Sequence, residues 1–420
     1  MARARNSSSA TVSCRTRVAV GLQAPGELHP VGGIRLAATR CGIKKHAGVS
    51  DLALVELVEG SRLAAVFTRS HFSAAPVQLC RQHLSANREP RYLLINSGNA
   101  NAGTGNGGLQ AAVECCDAVA APSGLEREQV LPFSTGVIAE PLPVAPIAAA
   151  IPELIGLLGA GNWLQAAGAM MTTDTLPKAF SEQCTVEGKT VTITGMAKGS
   201  GMIKPDMATM LAFIATDADI PQAKLETLLS QLVESSFNSI TVDGDTSTND
   251  SCVLIATGAS GAVVDPDDDK FRPALQSVFE RLAQAIIRDA EGATKFVEIR
   301  VDGAADSADA RSIGFTIAES PLVKTALFAS DPNWGRLIMA IGRAPVSKLD
   351  PGLVDLYLGQ VPLLLRGLPD PDYREERGAE EMAGDEICIR VDLNLGEASA
   401  RIWTSDLSYE YVKINAEYRS

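Results

Sequence analysis

Histidine is almost absent. The 420-residue chain holds four, His29, His46, His71 and His83, and none after position 83. A catalytic centre built from residues beyond that point must work without imidazole. This disfavours Ser-His-Asp hydrolases and His-ligated metal enzymes unless one of the four is the partner. The eight cysteines (Cys14, Cys41, Cys80, Cys115, Cys116, Cys184, Cys252 and Cys388) show no CxxC spacing and find too few histidines to complete a zinc set. They read as reduced, mostly buried thiols of a cytoplasmic protein. No apolar run reaches transmembrane length, so no membrane partner is expected; the best stretch, 154–171, is broken by Gly156, Gly159, Gly161, Asn162 and Gln165. Positive charge is also in deficit. Lys+Arg number 37 against 50 Asp+Glu, a net of −13 that repels phosphate backbones and anionic surfaces, so nucleic acid is not an expected partner. Aromatics are only 5% while glycine numbers 36, so small residues do much of the packing.

What is present is an ordinary soluble composition, 46% hydrophobic and 21% charged. The length fits two or three units, or one large α/β body, with a core that needs no disulfides. Residues 1–17 carry four Arg, four Ser and no acid. Without an apolar stripe they read as a disordered extension, set at residues 1–20, rather than a transit peptide. Strands are expected at 52–58 and 63–67, joined at Glu59-Gly60, and at 91–95, 190–194, 210–215 and 251–257. Helices are expected at 109–121, 146–168 (interrupted by Pro152), 221–237 and 273–290. Another opens at Ser320-Pro321, an N-cap followed by proline at N1, and runs to about 329. Residues 366–385 read as an exposed loop, followed by strands at 387–393 and 398–403. Residues 411–415 have the alternation of a short strand. The fold class is α/β, with βα alternations and late antiparallel pairs.

Several segments carry candidate chemistry. Gly103-Thr-Gly-Asn-Gly-Gly108 matches GxGxxG, but seven residues separate Ile95 from Gly103, and no acidic residue ends a strand about 20 positions on. A dinucleotide-binding oxidoreductase is therefore a weak alternative. Asp243, Asp245, Asn249 and Asp250 cluster in VDGDTSTND. An EF-hand would need Gly and Glu where Thr248 and Leu254 stand, leaving either a side-chain-bonded turn or the acidic lining of a polar site. In KGSGMIKPDMATML, two glycines and a proline crowd the chain before a buried strand, and Thr209 stands at its mouth. A threonine works as nucleophile without histidine when its own α-amine is the base, which requires the preceding peptide bond to be cut. A free α-amine titrates near ~7.7–8.0, suited to neutral pH. In Ser134-Thr-Gly-Val137, the Thr135 hydroxyl and the Gly136 N–H are a candidate oxyanion hole.

These segments together resemble the ornithine acetyltransferases of the arginine pathway, also called glutamate N-acetyltransferases. The motifs are NSGNANAGTG (96–105), STGVI (134–138), TTDT (172–175), KGSGMIKPDMATML (198–211), VDGDTSTND (242–250), DPNWGR (331–336) and YVKINAEYRS (411–420). The resemblance runs from about Gly33 to the last residue. It implies a layered α/β sandwich, sheets packed between helices, related to the self-processing aminopeptidases of the DmpA kind. It implies self-cleavage between Ala208 and Thr209, giving an α chain ending at 208 and a β chain of 209–420 that stay associated, commonly as a heterotetramer with two of each. The activity implied is acetyl transfer from N2-acetyl-L-ornithine to L-glutamate through acetylated Thr209. Thr135 and Gly136 match the oxyanion hole, and Thr172, Lys198, Thr209, Glu291, Asn415 and Ser420 the substrate-binding positions. No cofactor and no metal is implied; acetyl-CoA stays open as a second donor. Three positions depart from the family's usual residues: Asp206 replaces Asn, Tyr409 a common His, and Ser420 a Thr. A related self-processed aminopeptidase or amidase, passing the acyl group to water, is the second reading.

Overall fold

The computed structural model describes residues 19–45, 48–86, 89–204 and 210–417. Among them the strands form three sheets. The first has the order Ile34–Thr39, Leu52–Leu57, Tyr92–Asn99, Val130–Val137; its first three strands are antiparallel and its last pair is parallel. The second has the order Arg62–Phe67, Ser251–Ala256, Leu211–Thr216, Lys189–Lys198, Lys178–Val186, with the Ser251–Ala256 and Leu211–Thr216 pair parallel and the rest antiparallel.

These two sheets pack face to face. Successive strand side chains point to opposite faces, and the LAFIAT strand uses both. Leu211, Phe213 and Ala215 meet Ile95, Leu131 and Phe133 of the first sheet, while Ala212 and Ile214 join the core under the helices. Phe133 and Phe213 meet edge to face across the layers, ring centroids 4.9 Å apart; each buried side chain of this size contributes about 1.5–3 kcal/mol. The outer face of the first sheet is covered by helices Gly105–Ser123 and Val144–Gly156. The outer face of the second is covered by Gln222–Ser235 and by Phe271–Arg288, whose Leu275, Val278, Leu282 and Ile286 are buried at helical spacing. The result is a helix–sheet–sheet–helix sandwich.

The third sheet, seven-stranded, has a core of its own. Within it Phe296–Ala304 is parallel to the central strand Glu386–Asp392 on one side and antiparallel to Ala398–Ser405 on the other. Ile299, Val301, Ile389 and Ile402 are buried with Ile313 and Ile317 of helix Ser307–Ala318. Helix Pro321–Ala329 begins as expected: the Ser320 side chain accepts from the Val323 N–H.

The strands at Leu52–Leu57 and Arg62–Phe67 are joined through Glu59-Gly60 as expected, and the Gly60 turn carries the chain from one sheet to the other. Several expectations are corrected. The helix expected over 146–168 is two, Val144–Gly156 and Trp163–Met170. Pro152 sits inside the first; the break falls where Gly159 forms a bridge to Leu36. Residues 366–385 are not one loop, since they contain the short strand Leu368–Pro369 and helix Glu375–Ala383, which buries Met382. The two late strands do not pair with each other but flank Phe296–Ala304. Residues 411–415 are helical, within Tyr409–Ala416, because Ser408 caps that turn by accepting from the Tyr411 N–H. The expected extension lies outside the described residues up to 18. Val20, placed within it, is anchored: its N–H donates to the Arg288 carbonyl at 2.8 Å and its side chain is buried.

Candidate active site

The ends of strands from the two face-to-face sheets open into one pocket, with a volume of about 130 Å³. Thr135 and Gly136 come from the end of Val130–Val137, Lys198 from the end of Lys189–Lys198, and Met210 and Leu211 from the start of the strand beside it. Thr172, Asn249, Asp250, Glu291 and Asn415 complete the wall, with Ala100, Ile138, Thr173, Gly201, Met202 and Ser247. Six residues expected at the site, Thr135, Gly136, Thr172, Lys198, Glu291 and Asn415, are thus brought together from five separate segments. Ala208, Thr209, Asp206 and Ser420 lie outside the described residues. The covalent chain joins Thr209 to Met210, which lines the pocket.

Gly136 has φ +135°, and a Cβ there would lie 2.2 Å from the carbonyl carbon of Gly98, so only glycine allows the two strands this approach. The Lys198 ammonium, itself buried, donates to Thr135 Oγ1 at 3.3 Å. Burial pulls its pKa below that of an ordinary lysine, opposed by the nearby carboxylates of Asp174, Asp250 and Glu291. Asn415 Nδ2 donates to Glu291 Oε2 at 2.8 Å. The Glu291 N–H donates to the Ser200 carbonyl at 2.9 Å, fixing the residue to the segment that follows Lys198.

Behind the pocket lies a buried ionic triad that sequence reasoning did not single out. Lys178 Nζ donates to Asp174 Oδ1 and to Asp289 Oδ2, each at 2.6 Å, with all three side chains almost wholly shielded from solvent. Burial alone would raise the Asp174 carboxyl, but the Lys178 and Lys198 ammonium groups hold it well below the usual carboxylate range. Asp174 also accepts from the Thr172 N–H at 2.9 Å and the Gly199 N–H at 2.8 Å, tying the TTDT segment to the end of the Lys198 strand. Asp289 accepts from the Thr175 N–H at 2.9 Å. Asp174 was visible only as a letter of TTDT; Lys178 and Asp289 carry no local signal.

The VDGDTSTND segment divides. Asp243 behaves as the turn reading expects, accepting backbone N–H groups, whereas Asn249 and Asp250 line the pocket. Asn249 Nδ2 donates to the carbonyls of Ala100 and Ser134 at 2.6 and 2.9 Å, bridging the two sheets. Asp250 is buried, its Oδ2 has no hydrogen-bond partner, and burial raises its pKa well above the usual range; Ser247 and Lys198 oppose that shift. The GxGxxG segment opens helix Gly105–Ser123, and its last glycine is a packing position. A Cβ on Gly108 would lie 1.9 Å from Thr104 Oγ1 and 2.5 Å from Asn101 Oδ1. His83 is structural, with Nδ1 2.8 Å from the Val130 carbonyl. Among the described residues no group of His, Cys, Asp or Glu is arranged to hold a metal ion, and no helix is long and apolar enough to cross a membrane. The described cysteines are free, with Cys80, Cys115, Cys116 and Cys252 buried and Cys41, Cys184 and Cys388 partly so.

Residues 35–420 match the ArgJ family. The arginine biosynthesis bifunctional protein ArgJ of Pseudomonas syringae pv. tomato is 49% identical over 408 residues, covering 96% of this chain and 100% of that protein. The chain belongs to the ArgJ family. The ArgJ protein of Methylococcus capsulatus is 51% identical over 397 residues, 94% of this chain and 97% of the relative. Among solved structures, ArgJ from Bacillus halodurans is 39% identical with a TM-score of 0.46, covering 48% of this chain and 96% of that one. Ornithine acetyltransferase from Mycobacterium tuberculosis, in complex with ornithine, is 34% identical with a TM-score of 0.37, covering 43% of this chain and 94% of that one. The ArgJ family is thus the one whose motifs the sequence resembled, and the match extends through the pocket to the last residue.

Proposed function

We propose that this chain moves the acetyl group of N2-acetyl-L-ornithine to L-glutamate, as an enzyme of arginine biosynthesis, through an acetyl ester on Thr209. The observation that carries this reading is the pocket. The six expected residues, from five separate segments, converge in it, beside the Met210 that follows Thr209. Membership of the ArgJ family supports the same activity.

The chemistry runs in two half-reactions. Cleavage before Thr209 frees its α-amine, which takes the hydroxyl proton as Oγ attacks the acetyl carbonyl. The negative oxygen of the tetrahedral intermediate faces the Thr135 hydroxyl and the Gly136 N–H. Collapse breaks the C–N bond, the amine returns the proton to the departing nitrogen, and ornithine leaves. Glutamate then enters, its α-amine attacks the ester, and Thr209 is regenerated. Lys198 pairs with a substrate carboxylate, and Glu291 with Asn415 holds an ammonium group.

The cut crosses the second sheet, which explains why the products would stay together. Lys189–Lys198, before the cut, is hydrogen-bonded to Leu211–Thr216, after it; Arg62–Phe67 pairs in the same way with Ser251–Ala256. We take the α chain to end at 208, the β chain to be 209–420, and the assembly to contain two of each, working in the cytoplasm without a cofactor. The relatives' name, bifunctional, supports a second activity, for which acetyl-CoA is the proposed donor to glutamate. The test is to incubate purified protein with N2-acetyl-L-ornithine and L-glutamate. Formation of N-acetylglutamate and ornithine supports the reading. Release of free acetate alone would make the protein an amidase.

A further inference from the structure

We infer that Asp243 is a positioning residue for the substrate pocket: its carboxylate ties the turn at Met202 and Ile203 to the C-terminal helix and so fixes the two walls that flank Glu291. Oδ2 of Asp243 accepts from the Met202 N–H at 2.7 Å and from the Tyr411 hydroxyl at 3.1 Å. Oδ1 accepts from the Ile203 N–H at 2.9 Å and from the N–H of its own turn, Asp245, at 3.3 Å. One carboxylate thus joins segments more than 200 residues apart.

Both segments end on Glu291. Gly201 lies against it so closely that a Cβ would stand 2.4 Å from Glu291 Oε2. From the other side Asn415, one helical turn after Tyr411, donates to the same Oε2 at 2.8 Å. The contacts close a ring, from Asp243 through Met202 and Gly201 to Glu291, then through Asn415 and Tyr411 back to Asp243. Two features of the ring need the tie. Met202 is a non-glycine residue at φ +56°, a conformation that persists only where its surroundings hold it. Helix Tyr409–Ala416 contains no fully buried residue; beside the edge-to-face contact of Tyr409 with Phe328 and the packing of Tyr411 on the core, polar contacts hold its seat. They include Ser408 Oγ to the Gly292 carbonyl at 2.6 Å, Tyr411 to Asp243, and Asn415 to Glu291. Asp243 does not line the pocket itself; Met202, Gly201, Glu291 and Asn415 do. It therefore acts on a ligand through them.

The inference rests on the proposed function for its choice of ligand. The experiment compares wild type, Asp243→Asn and Tyr411→Phe in the full chain. It measures the Kd for L-ornithine by calorimetry, together with KM and kcat for acetyl transfer. Asp243→Asn turns one acceptor into an NH2 facing an N–H; Tyr411→Phe removes only the hydroxyl and keeps the ring. Loss of hydrogen bonds to a charged group should raise Kd and KM roughly tenfold or more in Asp243→Asn and about threefold in Tyr411→Phe, with kcat within about twofold. A merely structural role would lower the folded fraction, and with it the apparent kcat, while leaving Kd and KM alone. Wild-type Kd in both variants overturns the inference by itself. If Asp243→Asn does not fold, Tyr411→Phe decides, and a wild-type Kd there overturns it. Wild type that neither binds ornithine nor transfers acetyl overturns the proposed function and this inference with it.

Discussion

Lys198 donates to the Oγ1 of Thr135 across 3.3 Å, joining the ends of strands that belong to two different sheets. An ammonium has only donors, so Thr135 accepts and its own hydroxyl hydrogen is left to point elsewhere. That hydrogen, beside the Gly136 N–H at the pocket wall, is available to a developing oxyanion. The pair therefore does more than crosslink the sandwich: it sets the direction of a donor.

From this relation, Thr135→Ala should lower kcat for acetyl transfer by roughly 10²–10³, the usual loss of one oxyanion donor. Thr135→Ser, which keeps the hydroxyl, should lose far less. Steady-state kinetics on the two proteins, each checked for folding, decides the matter; an unchanged kcat in the alanine variant removes Thr135 from the site.

Asn415→Ala should leave folding intact and raise KM for acetylornithine or glutamate, because Glu291 loses the donor that orients it. Deletion of residues 417–420, which takes away Ser420 but leaves Asn415, should also raise KM if the last residue contacts substrate. A truncated protein with unchanged kinetics would exclude Ser420 from binding.

Lys178→Ala should cost about 3–5 kcal/mol of stability in denaturant unfolding, since it strands the Asp174 and Asp289 carboxylates without their cation. The wild-type pair also has a pH signature. Asp174 is held below its unfolded value, so its contribution is present above about pH 4 and is lost as pH falls towards the folded pKa. Acid should therefore destabilise wild type more than it destabilises Lys178→Ala. Equal acid sensitivity would mean that the triad is not ionised as drawn.

Asp250 has the opposite sign. Its folded pKa is raised by burial, so its favourable contribution is complete below the unfolded value near ~3.9 and is lost as pH rises towards the folded one. Asp250→Asn, a neutral group of the same shape, should gain Tm relative to wild type as pH is raised from about 4 to 8. A Tm difference that does not change with pH would contradict the assignment of a neutral, buried carboxyl.

Much of the fold was legible because period and punctuation agreed. Residues 210–215 read as a buried strand, and Leu211–Thr216 is one, buried throughout; Ser320-Pro321 read as a helix start and caps one. Reading failed where a local pattern was overruled. Residues 411–415 alternate like a strand, but the Ser408 cap two residues earlier than Glu410 starts a helix. Most of the candidate site was visible through motifs, because all of its expected residues except Glu291 stand in distinctive local strings. The Lys178 triad was not: its partners are 4 and 111 residues away and only the fold brings them together.

The central claim is a threonine that the chain itself exposes and then acetylates. The most direct measurement is denaturing mass spectrometry of the purified protein before and after incubation with N2-acetyl-L-ornithine alone. The account predicts two polypeptides, one beginning at Thr209, and the gain of one acetyl mass on that fragment, removed when glutamate is added. A fully active protein that remains one 420-residue chain and carries no acetyl group would contradict it.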